Sequence, residues 1–362
     1  MRVQRARGLE NKREIAQERR YQYQKWKSWE TIFLLLSNGM KILLIAPEDR
    51  PLRNITQEHL AKIRSISSDI ELEVVGASKI QELAEHVADA EVVVGVPRSI
   101  PDLSLAKNLK WVHSFSAGMD RLLAPAFVQS SVIASNSAGI HATPIAEHVI
   151  AFLLMFTRKL KESFEQHQQK KWQRIDTLTE LRDKIILIVG LGHIGKEAAR
   201  LASSLGARIL AVDAPGKQKP EFVEQLGTVQ ELTGFLGQAD FVVLCLPYTK
   251  DTHHFINQDR LSAMQPHAVL LNIGRGGVVD EQALIKALKE KKIGGAALDV
   301  TEQEPLPKDS PLWAMENVLI TPHHSGISEK YIGRAVDLFC LNLHAYLKGE
   351  RLPNLVDKTA GY

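Results

Sequence analysis

The chain has 362 residues, enough for two domains of ordinary size. Hydrophobic residues make up 44% of it and charged residues 24%, which is typical of a globular protein and argues against a disordered one.

Residues 1–39 hold nine of the 45 basic and four of the 42 acidic residues, so the remainder is close to neutral and no nucleic-acid partner is expected. No apolar run reaches the roughly 18–20 residues that span a bilayer, so no membrane partner is expected either. Cys245 and Cys340 match no metal or disulfide spacing, which predicts reduced thiols and a cytoplasmic protein.

Residues 1–39 form a leader that is predicted not to be part of the fold. They are rich in Arg, Gln and Glu and carry one short apolar patch at 32–36. That patch is too short for the apolar core of a signal peptide. Because the first predicted strand begins at Met40, we expect either an overcalled start codon or a dispensable arm. The alternative is a helix that packs on the body or on a partner.

Strand and helix patterns alternate from Met40 onward and predict a small α/β domain. Strands are predicted at residues 41–46, 72–75, 91–96, 111–115 and 132–135, and helices at 57–66 and 80–90. Residues 144–161 are predicted to form one long helix. Its centre is apolar nearly all round, which is typical of a buried helix.

The alternation resumes at residue 185 and predicts a second α/β domain. Its strands are predicted at residues 185–189, 208–212, 241–246, 268–273, 295–298 and 318–321. Six strands fit a doubly wound parallel sheet. A last helix at 330–347 would return to the first domain. The first, substrate domain would then comprise residues 40–139 and 324–362, with a cofactor domain of residues 140–323 inserted into it.

The glycine loop at residues 190–195 lies between a strand and a helix of this second domain. Gly190 would make the tight turn, Gly192 would let a pyrophosphate approach the backbone, and Gly195 would let the helix pack on the strand. The helix N-terminus would offer free N–H groups to the phosphates. Asp213 ends the next strand, where a carboxylate can accept hydrogen bonds from a ribose diol and repel a 2′-phosphate. This pattern predicts NAD, with NADP less favoured.

Three polar motifs follow later strands of the same sheet. Arg275 lies among glycines at residues 272–277, where a guanidinium can bind a carboxylate through two hydrogen bonds. Acidic residues follow the next strand at 299–305, and His323 follows the last strand. Taken singly, these could be a surface arginine, solvated acids and a structural histidine. Their joint occurrence at the ends of strands of one nucleotide-binding sheet favours an active site.

From Met40 to about Leu352 the chain resembles the D-2-hydroxyacid dehydrogenase family. The resemblance is carried by the glycine loop, Leu246-Pro247-Tyr248-Thr249, residues 272–277, Glu304-Pro305-Leu306 and Pro322-His323. It implies an α/β protein with two Rossmann-like domains, in which the doubly wound cofactor domain is inserted into a smaller, flavodoxin-like substrate domain.

The resemblance also implies roles for individual residues. Arg275 matches the arginine that binds the substrate carboxylate and carbonyl, and His323 matches the general acid/base. Glu304 matches the acid that pairs with this histidine and stabilises its protonated form. Backbone N–H groups of Ala117 and Gly118 would hold the substrate carboxylate.

For the cofactor, the amides of His193 and Ile194 would meet the pyrophosphate, and Asp299 would reach toward the nicotinamide carboxamide. The cofactor-binding set implied by the resemblance is Gly190, Gly192, His193, Ile194, Gly195, Asp213, Leu246, Pro247, Thr252, Ile273, Gly274, Arg275, Asp299, His323 and Gly326. No metal site is expected.

These observations predict a homodimeric, NAD-dependent D-2-hydroxyacid dehydrogenase that reduces a small 2-keto acid such as glyoxylate or hydroxypyruvate. A 3-phosphoglycerate-type substrate stays open, because Arg98 and Arg121 could bind a phosphate. The same motifs would also suit a non-catalytic, NAD-sensing binding protein of this fold, or an NAD enzyme that acts on an amino or phosphorus acid.

Overall fold

The computed structural model describes residues 39–46, 54–79, 83–96, 100, 103, 106–119 and 122–359. The expectations for residues 1–38 and for Arg98 and Arg121 lie outside this part of the chain. The described residues divide into two compact units. Unit 1 contains those up to Ser137 and those from Ile332 to 359, and unit 2 contains residues 138–331. Residues 324–331 thus group with unit 2, whereas the sequence predicted a boundary after residue 323.

Unit 1 is built on a parallel sheet of five strands. They are β1 (Met40–Ala46), β2 (Ile70–Gly76), β3 (Val92–Gly95), β4 (Trp111–Ser114) and β5 (Ile133–Ser135). Their spatial order is β2-β1-β3-β4-β5, and every neighbouring pair is parallel. This order is that of the flavodoxin-like doubly wound fold. The apolar runs of β1 and β3 are almost entirely buried, as expected for parallel strands that are covered on both faces, and β4 is fully buried although it contains His113 and Ser114.

Unit 2 is built on a parallel sheet of seven strands. They are β6 (Ile185–Val189), β7 (Arg208–Val212), β8 (Gln225–Gly227), β9 (Phe241–Leu244), β10 (Val269–Asn272), β11 (Gly295–Leu298) and β12 (Val318–Ile320). Their order is β12-β11-β10-β9-β6-β7-β8, which is the dinucleotide-binding order with one further strand at the edge. The predicted fold class is therefore confirmed. Six strands were predicted, and the sequence analysis missed β8, because three residues are too few to show a strand pattern.

The helices are α1 (Gln57–Arg64), α2 (Leu83–Ala88), α3 (Pro125–Gln129), α4 (Ala142–Thr157), α5 (Leu160–Gln168), α6 (His193–Ser204), α7 (Leu232–Leu236), α8 (Gln258–Ser262), α9 (Glu281–Lys289) and α10 (Tyr331–Leu347). The prediction of one helix over 144–161 is wrong. Lys159 adopts a left-handed conformation (φ 52°), which ends α4 and starts α5 in a new direction. Within the described residues, no helix has both the length and the apolar character needed to cross a bilayer.

Helix α4 packs against α6 and so supports the segment that begins with the glycine loop. The contact is close because α6 presents small side chains, Ala198, Ala199 and Ala202, all buried. From α4, Val149 and Phe152 join the same hydrophobic core. This packing anchors the N-terminal turn of α6 beside the carboxyl end of β6.

Candidate active site

The candidate site residues of unit 2 follow six strands that lie side by side in the sheet. Segments after β6, β7, β9, β10, β11 and β12 carry them, and all these strands run parallel, so the segments meet at one edge. The strand order reverses between β6 and β9. Ligands of open α/β sheets bind at the carboxyl edge beside such a reversal.

Two positions of the glycine loop, Gly190 and Gly195, leave no room for any side chain. A Cβ on Gly195 would lie 1.9 Å from the Gly190 carbonyl oxygen. Gly190 has a φ of +98°, and a Cβ there would lie 2.9 Å from the Cys245 carbonyl oxygen. Gly192 differs, because a Cβ there would meet no atom within 4 Å among the described residues. The space beside Gly192 is thus open for a ligand to approach the backbone.

The same loop presents unused donors. Among the residues that the structure describes, the N–H groups of Gly192, His193 and Ile194 donate no hydrogen bond. They lie at the N-terminus of α6, where the helix dipole favours an anion. The open space and these donors fit the pyrophosphate of a dinucleotide.

Asp213 lies at the end of β7 with its carboxylate fixed by backbone. Its Oδ2 accepts from the Leu191 N–H at 2.8 Å, and its Oδ1 accepts from the Ala214 N–H at 2.6 Å. Each oxygen has a second lone pair that can accept from a ribose hydroxyl. The negative charge is therefore held next to the glycine loop, where the adenosine ribose of a dinucleotide would lie.

Arg275 is held in its loop by the side chain of Asn272. The Asn272 amide donates to the Arg275 carbonyl at 3.0 Å and accepts from the Gly274 N–H at 3.2 Å. Neighbouring glycines are required by close approach, since a Cβ on Gly276 would lie 1.8 Å from the Thr301 carbonyl oxygen. The guanidinium is half-buried and its positive charge lowers the pKa of Glu304.

His323 and Glu304 form a hydrogen-bonded pair. The His323 Nδ1 lies 2.7 Å from the Glu304 Oε2. Burial opposes ionisation of Glu304, but the His323 hydrogen bond and the charges of His323 and Arg275 outweigh it and hold the pKa of Glu304 below its usual value. Because a carboxylate can only accept, Nδ1 carries a hydrogen and Nε2 is the ring atom left to exchange a proton.

Asp299 is buried, with 2% of its surface exposed, and its carboxylate holds the turn that carries His323. It accepts from the Thr321 hydroxyl at 2.6 Å and from the His324 and Ser325 N–H groups, each at 3.1 Å, and from the Ser325 hydroxyl. Burial opposes its ionisation, but these donors outweigh burial and lower the pKa of Asp299. Both oxygens thus already bind donors of the protein, and a contact with the nicotinamide carboxamide stays a prediction.

His148 extends this network from helix α4. Its Nε2 lies 3.1 Å from the Thr321 Oγ1, which already donates its hydrogen to Asp299 and so accepts from His148. Burial lowers the pKa of His148. His148, Asp299 and His324 place possible metal ligands within 4.8 Å of one another. The Asp299 oxygens of this cluster are already engaged by hydroxyl and backbone donors.

Other predicted cofactor residues have local partners. The Thr252 hydroxyl donates to the Pro247 carbonyl at 2.7 Å and so closes the turn that follows Leu246. Ile273 is 4% exposed and packs in the hydrophobic core, so its backbone rather than its side chain can face a ligand. The Gly326 carbonyl lies 3.2 Å from the His141 Nδ1.

Ala117 and Gly118 belong to unit 1, in the loop that follows β4. Both are half-buried, and among the described residues neither N–H donates a hydrogen bond. The Asn136 side chain donates to the Ala117 carbonyl at 2.8 Å. Two unused donors in adjacent peptide groups suit a carboxylate.

The sequence analysis missed the residues that support these groups, among them Asn136, Asn272, Thr321 and Ser325. All four lie within or beside the motifs that it considered. Their hydroxyl and amide side chains were the available signal, since such groups next to a buried acid or a glycine loop usually bind it.

Comparison with known proteins places these motifs in a family. A family model described as D-isomer specific 2-hydroxyacid dehydrogenase, NAD binding domain, matches residues 150–325. A glyoxylate reductase of Thermofilum pendens is 35% identical over 77% of this chain and 84% of that protein. A D-3-phosphoglycerate dehydrogenase of Methanocaldococcus jannaschii is 31% identical over 83% of this chain and 58% of that protein. A solved NADPH-dependent glyoxylate/hydroxypyruvate reductase of Sinorhizobium meliloti, in complex with NADP and sulfate, has a TM-score of 0.76 at 27% identity, covering 90% of this chain and all of that one.

Proposed function

Because the chain belongs to the D-isomer specific 2-hydroxyacid dehydrogenase family, and is thus an oxidoreductase acting on a CH–OH group, we propose that it reduces a small 2-keto acid of the glyoxylate or hydroxypyruvate class. The observation that carries the proposal is the His323–Glu304 pair beside the Arg275 loop at the carboxyl edge of a dinucleotide-binding sheet. Relatives named glyoxylate reductase support the substrate class.

Arg275, His323 and Glu304 each have a separate role in the proposed reaction. Arg275 pairs with the substrate carboxylate and polarises the carbonyl. His323 donates the Nε2 proton to the carbonyl oxygen, and Glu304 stabilises the imidazolium before transfer. A bound nicotinamide cofactor supplies the hydride that C2 receives. In the reverse direction, neutral His323 takes the proton of the hydroxyl group.

We propose NADH as the preferred hydride donor. The support is the Asp213 carboxylate, which Leu191 and Ala214 hold beside the glycine loop and which would repel a 2′-phosphate. The S. meliloti relative is NADPH-dependent, so both cofactors need to be measured.

We also propose a homodimer in a reducing compartment such as the cytoplasm. Exposed large apolar side chains concentrate between residues 160 and 178, and Trp172 is fully exposed while Phe164 is 61% exposed. Such a patch on an otherwise polar segment is typical of a protein interface. Cys245 and Cys340 are both free thiols, as a reducing compartment would keep them.

The test is a panel of keto acids with NADH and, separately, NADPH, followed by loss of reduced-cofactor absorbance. The panel contains glyoxylate, hydroxypyruvate, pyruvate, longer 2-keto acids and phosphohydroxypyruvate. Turnover of glyoxylate or hydroxypyruvate supports the proposal, and a preference for phosphohydroxypyruvate would replace it with the 3-phosphoglycerate type. If NADH binds but no keto acid is reduced, the proposed reaction is wrong.

A further inference from the structure

We propose that His113 is a positioning residue for the substrate-binding loop, through a buried chain of hydrogen bonds that runs in one direction from Trp111 to the carbonyl of Ser114. The loop in question is residues 114–118, which carries the N–H groups of Ala117 and Gly118. The inference therefore rests on the proposed function of these two groups.

The chain of hydrogen bonds has four links. The Trp111 Nε1–H donates to the Ser135 Oγ at 2.8 Å, and this oxygen lies 2.7 Å from the His113 Nδ1. The His113 Nε2 lies 3.3 Å from the Ser137 Oγ, which donates to the Ser114 carbonyl at 3.0 Å. All five residues have an exposed fraction of 0%.

Each hydrogen in this chain has one possible position. The Ser114 carbonyl can only accept, so the Ser137 hydroxyl donates its hydrogen to this carbonyl. The Ser137 oxygen must then accept from the His113 Nε2–H. At the other end, the indole N–H can only donate, so the Ser135 hydroxyl oxygen receives it. Burial keeps the His113 ring neutral, and Nδ1 of the neutral ring then accepts the hydrogen of the Ser135 hydroxyl. His113 is therefore the tautomer with its hydrogen on Nε2.

The surroundings of His113 agree with a neutral ring. It packs edge-on against Trp111 and Phe115 and at a tilt of 48° against Phe339 of α10, with ring centroids 5.2–6.0 Å apart. None of these rings carries a charge. Burial lowers the pKa of His113 to about 3. A buried polar chain is stable when every member is satisfied, and a single broken link leaves donors or acceptors unpaired.

The chain of hydrogen bonds ends at the loop of residues 114–118, where further donors hold the carbonyl groups. Besides the Ser137 hydroxyl bond to Ser114, the Ser137 N–H donates to the Ser116 carbonyl at 3.2 Å, and the Ser114 hydroxyl donates to the same carbonyl at 2.9 Å. Asn136 binds the next carbonyl, that of Ala117. The carbonyls of residues 114, 116 and 117 are thus all held by protein donors.

Because peptide groups are planar, these bonds also determine where the N–H groups of Ala117 and Gly118 point. In a trans peptide the carbonyl of one residue and the N–H of the next point opposite ways. Holding the Ser116 carbonyl therefore turns the Ala117 N–H outward, and holding the Ala117 carbonyl turns the Gly118 N–H outward. His113 fixes Ser137, and Ser137 fixes the loop in the state that can bind a carboxylate.

The test compares two serine variants that remove equally buried hydroxyl groups from the two sides of His113. Ser137→Ala removes the hydroxyl bond to the Ser114 carbonyl but keeps the backbone bond to Ser116, and is expected to raise the KM for the keto acid about three- to tenfold, the equivalent of one neutral hydrogen bond, with kcat and NADH affinity changed less than twofold. Ser135→Ala breaks the links on the Trp111 side. It should lower the melting temperature but leave KM within about twofold. Equal KM values for the two variants would overturn the inference, because the chain would then have a general structural role.

A second measurement does not depend on turnover. In protein labelled with ¹⁵N-histidine, the His113 resonances, assigned by their loss in His113→Phe, should show a protonated Nε2 and an unprotonated Nδ1. The opposite tautomer or a charged ring would overturn the inference. If the expected tautomer is found while no keto acid is reduced, the hydrogen-bond chain stands and the proposed function fails. If a keto acid is reduced but the ring is the opposite tautomer, the proposed function stands and the hydrogen-bond chain fails.

Discussion

His323 is held by one contact of its ring and one of its backbone. Glu304 binds the ring at Nδ1, and the backbone N–H of His323 donates to the Asp299 carbonyl at 2.8 Å. The residue adopts a left-handed backbone conformation (φ 49°), which turns the side chain out of the strand direction toward Glu304. The proposed proton transfer would thus use one nitrogen atom, Nε2, of a residue that its neighbours hold in place.

His323→Ala should lower kcat by roughly 10²- to 10⁴-fold, the usual contribution of a general acid/base. NADH affinity should change far less than kcat, because the glycine loop and Asp213, which would hold the pyrophosphate and the ribose, are untouched. Steady-state kinetics and fluorescence titration with NADH measure the two quantities. His267→Ala serves as the control, since this exposed histidine pairs with Asp240 away from the candidate site residues. A kcat like that of the unaltered protein would remove His323 from the mechanism.

Arg275→Lys should lower kcat/KM by roughly 10- to 100-fold, which corresponds to losing one charge-assisted hydrogen bond of about 1.5–3 kcal/mol. Lysine keeps the positive charge but cannot form the two parallel bonds of a guanidinium. Arg200→Lys on the exposed face of α6, where Arg200 pairs with Glu197, should have no effect. If Arg275→Lys behaves like this control, the carboxylate binds elsewhere.

At the scale of elements, strands β11 and β12 act together through Asp299. The end of β11 supplies the carboxylate, and the segment after β12 supplies the donors at Thr321, His324 and Ser325. Because the two strands are neighbours in the sheet, a short side chain spans the distance between them. The turn that carries His323 is therefore anchored to the adjacent strand rather than to its own.

Asp299→Asn should lower the free energy of unfolding by about 1–3 kcal/mol at neutral pH, because an amide leaves some of the buried donors unsatisfied. The folded-state pKa of Asp299 is depressed, so its stabilisation is present above the unfolded value of about 3.9 and is lost as the pH falls through the folded value. The difference in the free energy of unfolding between Asp299→Asn and the unaltered protein should hence become smaller as the pH falls below about 3.9. Urea unfolding at neutral and acidic pH measures this difference.

The exposed Asp309→Asn is the matched control and should change stability little at any pH. A difference for Asp299→Asn that stays constant or widens as the pH falls would contradict the assignment of a depressed pKa to Asp299.

At the scale of the whole molecule, the proposed homodimer would use the exposed apolar residues between 160 and 178. Trp172 offers the largest exposed side chain of the segment. Tryptophan is enriched at interface centres because a large ring is desolvated there.

Trp172→Asp should convert the proposed dimer into a monomer, because it replaces the most exposed apolar side chain of this segment with a charge. Sedimentation equilibrium of the unaltered protein and of the variant measures the change in mass. Leu205→Ala, which alters an exposed apolar residue outside the segment, should remain dimeric. A monomeric unaltered protein, or a variant that still dimerises, would argue against this interface.

The sequence by itself determined the parallel α/β class, most of the strands and the glycine loop. These depend on local rules: apolar runs are required by strands buried on both faces, and Gly190 and Gly195 are required by atoms that lie within 3 Å of where a Cβ would be. It also indicated the segments that hold Arg275, Glu304 and His323, because such residues at strand ends meet at one edge of a parallel sheet.

Other features were decided by the tertiary structure. The break of the predicted helix at Lys159 depends on a backbone conformation that gives no periodic signal. The burial of Ile273 and the hydrogen bonds of Asp299 and His113 depend on partners that lie far apart in the sequence. A hydrogen bond requires two atoms within about 3 Å, and strand order sets which distant atoms come that close. Sequence patterns specify the type of an element, whereas the order of the strands in the sheet decides which side chains it brings together.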